Sequence, residues 1–591
     1  MSATANGPRL GRESSVVAII AGLCTIPVLQ LWRAPLSVPL QYEGDATFYL
    51  MVTQELKQTG GYLTTSHMGH PFGQQLYDLP QGVDQLNLLI LRILTWFCAP
   101  ATAMNLFFLL GFAAVAGTSH YALRRLGARA SLAAAGSLLY AFLPYHLLRG
   151  TAHLLLSSYA LVPISVLFML AVMGEDPPFV GHRVRWWPGL RLDRQAWWVL
   201  AGCVGLGSSG SYYAVFFGYL AIVAGLLTSL ARRHCRHLWS GLIAATITLA
   251  AMVLNTLPTI LYWRREGTNP RVFSRLAQET EQYGLRIQQL FMPRVDHRVG
   301  RLARIGFRAF AGPIYSEQGS YLGVIVGAGF IVAVVAALAN AVGGSSPRGR
   351  PTTISNAGLL GIVAMITATT SGLSYLLALG GLTMIRGWNR MSIVIGFFGV
   401  IGLVIGLSIL ADRTRLRHGR RVERRAVAGA LVFMLAVGAF DQTSPNDGRS
   451  AAALRATWDN DAAFFSGIEA ALPRGSAVYQ FPESPFPEGG SIGHTGLYDG
   501  ARGYLHAPSL TWSFGAVLGR HPDRPVDLAS WNVERIADYL HGQGFRAIVV
   551  DRFGYDDLGV DLVDRLWALG STPTQSTDGR YVWFDIGPPA S

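Results

Sequence analysis

The chain has 591 residues, 51% of them hydrophobic and only 14% charged, against about 25% charged in an ordinary soluble domain. This excludes a soluble globular enzyme and points to a polytopic α-helical membrane protein. The net charge of +13 is carried by arginine, with Lys57 the only lysine, and most of it lies in short loops between apolar runs, a pattern that orients membrane helices and not one that binds nucleic acid.

The first apolar run, Ser15 to Trp32, is long enough to cross a bilayer, where a helix needs about 20 residues. No small-residue cleavage site follows it, so a retained helix is expected and not a signal peptide. Arg9 and Arg12 ahead of it put the N-terminus on the cytoplasmic side. Directly after the run comes Tyr42-Glu43-Gly44-Asp45. Two carboxylates at a membrane exit are costly unless they face water, a metal or a substrate. Gly44 between them lets the backbone turn close to a ligand. A solvated loop with two chance acids is the plain alternative.

Residues 34–100 form a first long outside segment, too polar to span, with an interfacial helix expected over Leu86 to Phe97. Further spans are expected at about 101–122, 130–148, 152–173, two within Trp197 to Leu230 broken at Gly207-Ser208-Ser209-Gly210-Ser211, 238–260, 320–342, 354–370, 391–411 and 426–440. A second outside segment covers 261–319, and a re-entrant piece runs from Ser371 to Arg390. Eleven spans put the arginine clusters at 124–125, 181–194, 232–236, 348–350 and 413–425 on one side, inside, and the C-terminus outside. The four cysteines, Cys24, Cys98, Cys203 and Cys235, suggest neither a disulfide framework nor a metal cluster.

Residues 441–591 differ in kind. Ala477 to Phe481, Ala547 to Asp551 and Arg580 to Asp585 read as strands, and Trp531 to Gly542 and Asp557 to Leu569 as helices. The alternation predicts a small extracytoplasmic α/β domain following a membrane domain of residues 1–440.

The ionisable residues converge on the outside face. The first loop offers Glu43, Asp45, His67, His70, Asp78 and Asp84. His146 ends the third span and His153 begins the fourth, seven residues apart across Gly150. Glu317 precedes Gly319-Ser320-Tyr321-Leu322-Gly323, and the re-entrant piece adds Arg386, Trp388, Asn389 and Arg390. Such groups at one membrane depth form a candidate site. Each has a plainer reading: the histidines as interfacial anchors, the arginines as snorkelling side chains, Glu317 as a loop end, and the 261–319 segment as a solvated face.

An acidic Gly-Asp motif opening the first outside loop, followed by interfacial helices, resembles the GT-C membrane glycosyltransferases. Glu317 to Gly323 and the Arg386-to-Arg390 element are similar to the YfhO-like bacterial membrane proteins within that group. The resemblance covers about residues 15–440 and departs from the pattern in lacking a strict Asp-x-Asp pair. It implies an enzyme of the cytoplasmic membrane that moves a hexosyl or pentosyl group from a polyprenyl-phosphate donor to a glycan, lipid or protein on the outer face. Asp45, with Glu43, is then the catalytic candidate. His70, Asp78, His146, His153, Glu317, Tyr321, Arg386, Asn389 and Arg390 are the substrate-binding candidates. A Mg or Mn ion, if used, would sit on Asp45. A lipid-linked saccharide transporter or flippase and a non-catalytic glycan-binding membrane protein are the competing classes. Transporters more often carry inverted repeats and charged mid-membrane helices, and neither stands out here.

Overall fold

A computed structural model describes residues 7–588 apart from 182–188, 273–274, 312–316, 344–348, 449–450, 488, 526 and 569–571. The arginine clusters expected at 181–194 and 348–350 lie partly outside the described residues. The chain is a multi-pass membrane protein. Eight helices among the described residues are long and apolar enough to cross a bilayer: Pro8–Val28, Pro100–Arg125, Ala130–Arg149, Ser211–Arg232, Arg236–Asn255, Val324–Gly343, Arg350–Ala368 and Trp388–Gln442.

The last of these is two spans. Gly419 has φ 80° and ψ 172° inside it, a conformation open to glycine and strained for other residues. The chain reverses there. A Cβ at Gly396 would meet Leu143, one at Gly136 would meet Val404, and one at Gly438 would meet Leu139, so both arms pack along Ala130–Arg149. The expected fourth span, 152–173, is not one continuous helix. It is a short helix, Leu154–Ser157, then a break, then Val162–Val172 with Pro163 in its first turn. Arg194–Leu206 is similarly short. At 1.5 Å per residue the helical parts reach only about 17 and 20 Å, yet both segments run between the two ends of the bundle: Met173 and Gly174 accept hydrogen bonds from Arg232 in the basic loop, and Ser209 accepts one from Asn87 on the first outside segment. The interfacial helix is found at Gln85–Thr95, with Leu89 and Ile90 exposed along it and Trp96 and Phe97 just beyond it.

Small residues set the bundle's close contacts. A Cβ on Gly329 would lie 2.3 Å from the Gly399 carbonyl oxygen, and one on Gly402 2.2 Å from that of Gly329. Membrane helices gain packing this way where lipid offers no hydrophobic drive.

The arginine loops gather at one end. Arg129 and Arg350 both pair with Asp412, at 2.7 and 2.5 Å. Arg129 also reaches Glu423, and Arg124 pairs with Glu13. The opposite end carries the sheet domain.

A two-residue ribbon pairs β1, Thr64–Thr65, with β2, Gln74–Gln75. The main sheet holds β3 (Ala477–Phe481), β4 (Thr511–Trp512), β5 (Phe545–Asp551), β6 (Thr574–Gln575) and β7 (Tyr581–Asp585) in the order β4-β3-β5-β7-β6. β3 runs parallel to β4 and β5, while β7 is antiparallel to β5 and β6. Side chains alternate across it, as the pleat requires. Tyr479, Ile548, Val550 and Phe584 pack under the helices Val533–Gly542 and Val560–Trp567. Val478, Ala547, Val549 and Tyr581 face the other way, with Phe464, Phe465 and Trp512, into the same apolar core as Phe48 and Leu50. The sheet domain is therefore seated on the first outside segment. Asn532 caps its helix, accepting a hydrogen bond from the Arg535 backbone N–H.

Candidate active site

The Glu43-Gly44-Asp45 stretch is held from two sides. Gln41 Oε1 accepts hydrogen bonds from the Ala152 N–H (2.7 Å) and Thr151 Oγ1 (3.0 Å). Gly150, at φ 52°, makes room for this: a Cβ there would be 2.7 Å from Gln41 Oε1. From the sheet domain, Arg502 stacks over the Tyr42 ring and donates to the Tyr42 carbonyl. His506 Nε2 lies 3.0 Å from Tyr42 Oη. Burial and the Arg502 charge push His506 down to about 3, so it meets Tyr42 as a neutral imidazole.

Asp45 begins the helix Asp45–Gln58. His153 Nδ1 stands 3.4 Å from Asp45 Oδ2, and both side chains are partly open to solvent. They line a cavity of about 260 Å³ that also takes in Asp84, Tyr212, Tyr213, Arg275, Tyr283, Glu317, Arg386, Arg390 and, from the sheet domain, Pro487 and Tyr498.

The cationic wall is built in layers. Glu317 accepts from Arg149 Nη2 at 2.8 Å and from Asn389 Nδ2 at 2.9 Å. Burial would raise the Glu317 carboxyl, but Arg149, Arg390 and Asn389 hold it down at about 2. Arg386 donates to Glu279 and stacks over Tyr283 at 4.8 Å. Burial would likewise raise Glu279, yet the Arg386 hydrogen bond holds it below the usual range. Arg390 lies 4.0 Å over the Tyr212 ring, and its buried Nε has no partner.

Asp84 is the opposite case. It is 9% exposed, accepts one hydrogen bond, from Asn87 Nδ2 at 3.3 Å, and burial pushes its carboxyl up to about 7. Asn87 is itself fixed by the Ser209 carbonyl and Ser158 Oγ.

Of the residues the sequence singled out, Asp45, Asp84, His153, Glu317, Arg386 and Arg390 share the cavity, and Asn389 stands behind it on Glu317. Glu43 is exposed beside it and is not part of its lining. The others lie elsewhere. His70 bonds the Gln543 carbonyl and packs on Phe545. Asp78 receives Arg520, Trp263 and Asn269 and so ties the sheet domain to the second outside segment. His146 is buried against Phe112, ring centroids 3.7 Å apart, and donates to the Ala141 carbonyl. Tyr321 donates to Asp441 at 2.7 Å. Each is occupied in packing, at positions the cavity does not reach.

Sequence reasoning missed Arg149, Arg275, Tyr212 and Tyr283. Arg149 carried a usable signal, an arginine at the end of a span opposite the basic loops. The tyrosines carried none, because their role depends on which arginine they meet. Among the described residues no group of three or more His, Cys, Asp or Glu side chains is placed to hold a metal ion. Asp45 and His153 offer one carboxylate and one imidazole; Mg is commonly held by one or two carboxylates, with water and substrate phosphate completing about six ligands, so an ion at this site would rest on Asp45.

No family model matches the chain, and no curated protein matches it. Solved structures do. The chain is similar to the arabinofuranosyltransferase AftD from Mycobacteria, TM-score 0.50 at 16% identity, over 98% of this chain and 41% of that one. It therefore spans less than half the length of AftD. It is also similar to ArnT from Cupriavidus metallidurans bound to undecaprenyl phosphate, TM-score 0.51 at 14% identity, over 97% of this chain and 99% of that one. The chain has the GT-C fold. In this fold the expected helical bundle, interfacial helix and C-terminal sheet domain fall into one arrangement, and the cavity opens where bundle and sheet domain meet.

Proposed function

We propose that the protein is a membrane glycosyltransferase that moves one sugar from a polyprenyl-phosphate donor to an acceptor hydroxyl, at the outer face of the bacterial cytoplasmic membrane. The observation that carries this is a cavity whose lining joins Asp45 and His153 to Arg275, Arg386 and Arg390. Undecaprenyl phosphate bound to ArnT supports the donor class.

In this reading Asp45 takes the proton from the acceptor hydroxyl, and His153 holds its carboxylate in place. The acceptor oxygen bonds to the anomeric carbon as the bond from that carbon to the phosphate oxygen breaks. The electron pair leaves with the polyprenyl phosphate, and the anomeric configuration inverts. Charge develops on that phosphate in the transition state. Arg149, Arg275, Arg386 and Arg390 against Glu279 and Glu317 leave two positive charges to meet the departing dianion. Glu317 positions Arg149 and Asn389 and does not touch the phosphate. The arginine loops at the far end of the bundle support a cytoplasmic position for that end and the N-terminus, with the cavity and sheet domain outside. The sheet domain, taken as beginning near residue 441, forms the acceptor side of the cavity through Pro487 and Tyr498.

The test is turnover by the purified chain in lipid nanodiscs with a panel of polyprenyl-phosphate sugars, together with the lipid-linked sugars of a deletion strain. Release of polyprenyl phosphate and an accumulated donor in the strain are expected. A strain with unchanged donor pools and no turnover on any donor would overturn the reading, and donor trapped on the inner leaflet would assign the protein to transport.

A further inference from the structure

The second outside segment contains a helix with no part in the cavity. Gly300–Phe310 reads Gly-Arg-Leu-Ala-Arg-Ile-Gly-Phe-Arg-Ala-Phe. By helical period Leu302, Ile305, Gly306, Ala309 and Phe310 fall on one face, and Arg301, Arg304 and Arg308 form a stripe on the other. Gly306 seats the first face on the protein: a Cβ there would lie 2.2 Å from the Pro293 carbonyl oxygen. All three arginines are exposed, and none makes an ion pair among the described residues.

Its depth is set by what lies beneath. Arg294 donates to the Gln442 carbonyl, at the end of the last span. Phe291 packs on Gly327, in the first turn of the span Val324–Gly343. The helix thus rests level with the ends of two spans, on the sheet-domain side. Ile305 and Phe307, on either flank of the seated face, are 46% and 63% exposed, and Val324, which opens the span that Phe291 packs on, is 57% exposed. Exposed apolar groups at a span's end have a natural solvent in the acyl–headgroup boundary. Arginines beside them then face phosphates, which a planar guanidinium matches.

We propose that the helix Gly300–Phe310 lies in the sheet-domain-side leaflet and binds anionic phospholipid headgroups through Arg301, Arg304 and Arg308. Exposed, unpaired arginine on this side runs against the basic inter-span loops gathered at the other end of the bundle, and a phosphodiester surface is the partner whose charge complements a three-guanidinium stripe.

The test places a bimane label on Phe307→Cys in a cysteine-free full-length chain. The chain goes into nanodiscs whose quencher is either brominated phosphatidylglycerol or brominated phosphatidylcholine. Quenching several-fold stronger with phosphatidylglycerol is expected. That preference should be lost in the Arg301→Gln/Arg304→Gln/Arg308→Gln variant and weakened by salt. Equal quenching by both lipids overturns headgroup recognition. No quenching by either shows the face in water, and the proposal fails outright. Should the triple variant not fold, the salt titration of the labelled chain alone decides: a preference that ignores salt overturns the role of the arginines. Protection of the label by an added soluble polyanion, without lipid quenching, would assign the stripe to that polyanion instead and refute the lipid site.

Discussion

The two ends of the helical bundle use arginine in different ways. At the loop end, Arg129 and Arg350 meet Asp412, a carboxylate whose side chain is 42% exposed. Water and salt share the work there, and such pairs stabilise by little. At the sheet-domain end, Arg149 and Glu317 have side chains only 5% and 13% exposed, and Arg386 and Arg390 are stacked on Tyr283 and Tyr212. The same residue type is a topological marker at one end and a preorganised cationic wall at the other. What separates them is desolvation and the aromatic partner, not the count of charges.

The largest effect should come from removing the acid opposite that wall. Asp45→Asn is expected to lower turnover by about 10²–10⁴-fold, the range for losing a general base, with the melting temperature unchanged because Asp45 is partly solvated. Near-normal turnover of the purified variant on a polyprenyl-phosphate sugar would remove Asp45 from the role.

Next comes the layer behind the wall. Glu317→Gln leaves Arg149 buried without its carboxylate and should cost about 3–5 kcal/mol of stability, read as a fall in melting temperature of the nanodisc-embedded chain. Acid acts on the same group. The Glu317 carboxyl sits at about 2 in the fold, below its ordinary value, so its contribution is complete above about pH 4.5 and fades as pH falls toward 2. A variant that melts like the parent at neutral pH would contradict the contrast between the two ends.

Asp84 sharpens the comparison from the other sign. Its carboxyl is raised to about 7 by burial, so the folded state holds a proton that the unfolded chain releases near pH 4. Stability from this group is intact below about pH 4 and falls as pH rises to about 7, by at most roughly 4 kcal/mol for three units. Asp84→Asn should flatten that part of the pH–stability curve. A curve identical in both chains would mean Asp84 is ionised and solvated.

Much of this architecture could be read from the sequence because the information was local. The apolar runs of the spans, the β-branched run of β5 between Phe545 and Asp551, and the Asn532 cap depend on neighbours in the chain. Asp45, Glu317, Arg386 and Arg390 were legible for a related reason: span topology alone puts them at one depth. Spacing pairs His146 with His153, yet Gly150 turns the chain between them, leaving His153 on Asp45 and His146 against Phe112. His70, Asp78 and Tyr321 lie away from the cavity, engaged by Gln543, Arg520 and Asp441, partners more than a hundred residues away in the chain. Nothing local marks a polar residue as already engaged.

Arg390→Gln tests the wall itself. Its guanidinium has a buried Nε without a partner and no carboxylate of its own among the described residues. A charged hydrogen bond to a ligand phosphate is worth about 1.5–3 kcal/mol, so the apparent donor KM should rise, or kcat fall, by about 10–150-fold. Thermal stability should change far less than in Glu317→Gln. A variant that melts early but transfers sugar normally below its melting point would make Arg390 structural and erase the distinction from Arg149.

The smallest effect is expected at the far end. Asp412→Asn removes the shared partner of Arg129 and Arg350. Two guanidiniums on one carboxylate are a favourable arrangement at neutral pH. Because Asp412 is so open to solvent, their stabilisation is screened, and the loss should be about 0.2–1 kcal/mol, shrinking further with added salt. Arg129 keeps Glu423, so the loop connection survives the change. Donor KM should not move, since the cavity lies at the other end of the helices. A KM shift in Asp412→Asn comparable to that of Arg390→Gln would mean the two ends are coupled through the bundle, and the arginines of the loop end could then no longer be read as topology alone.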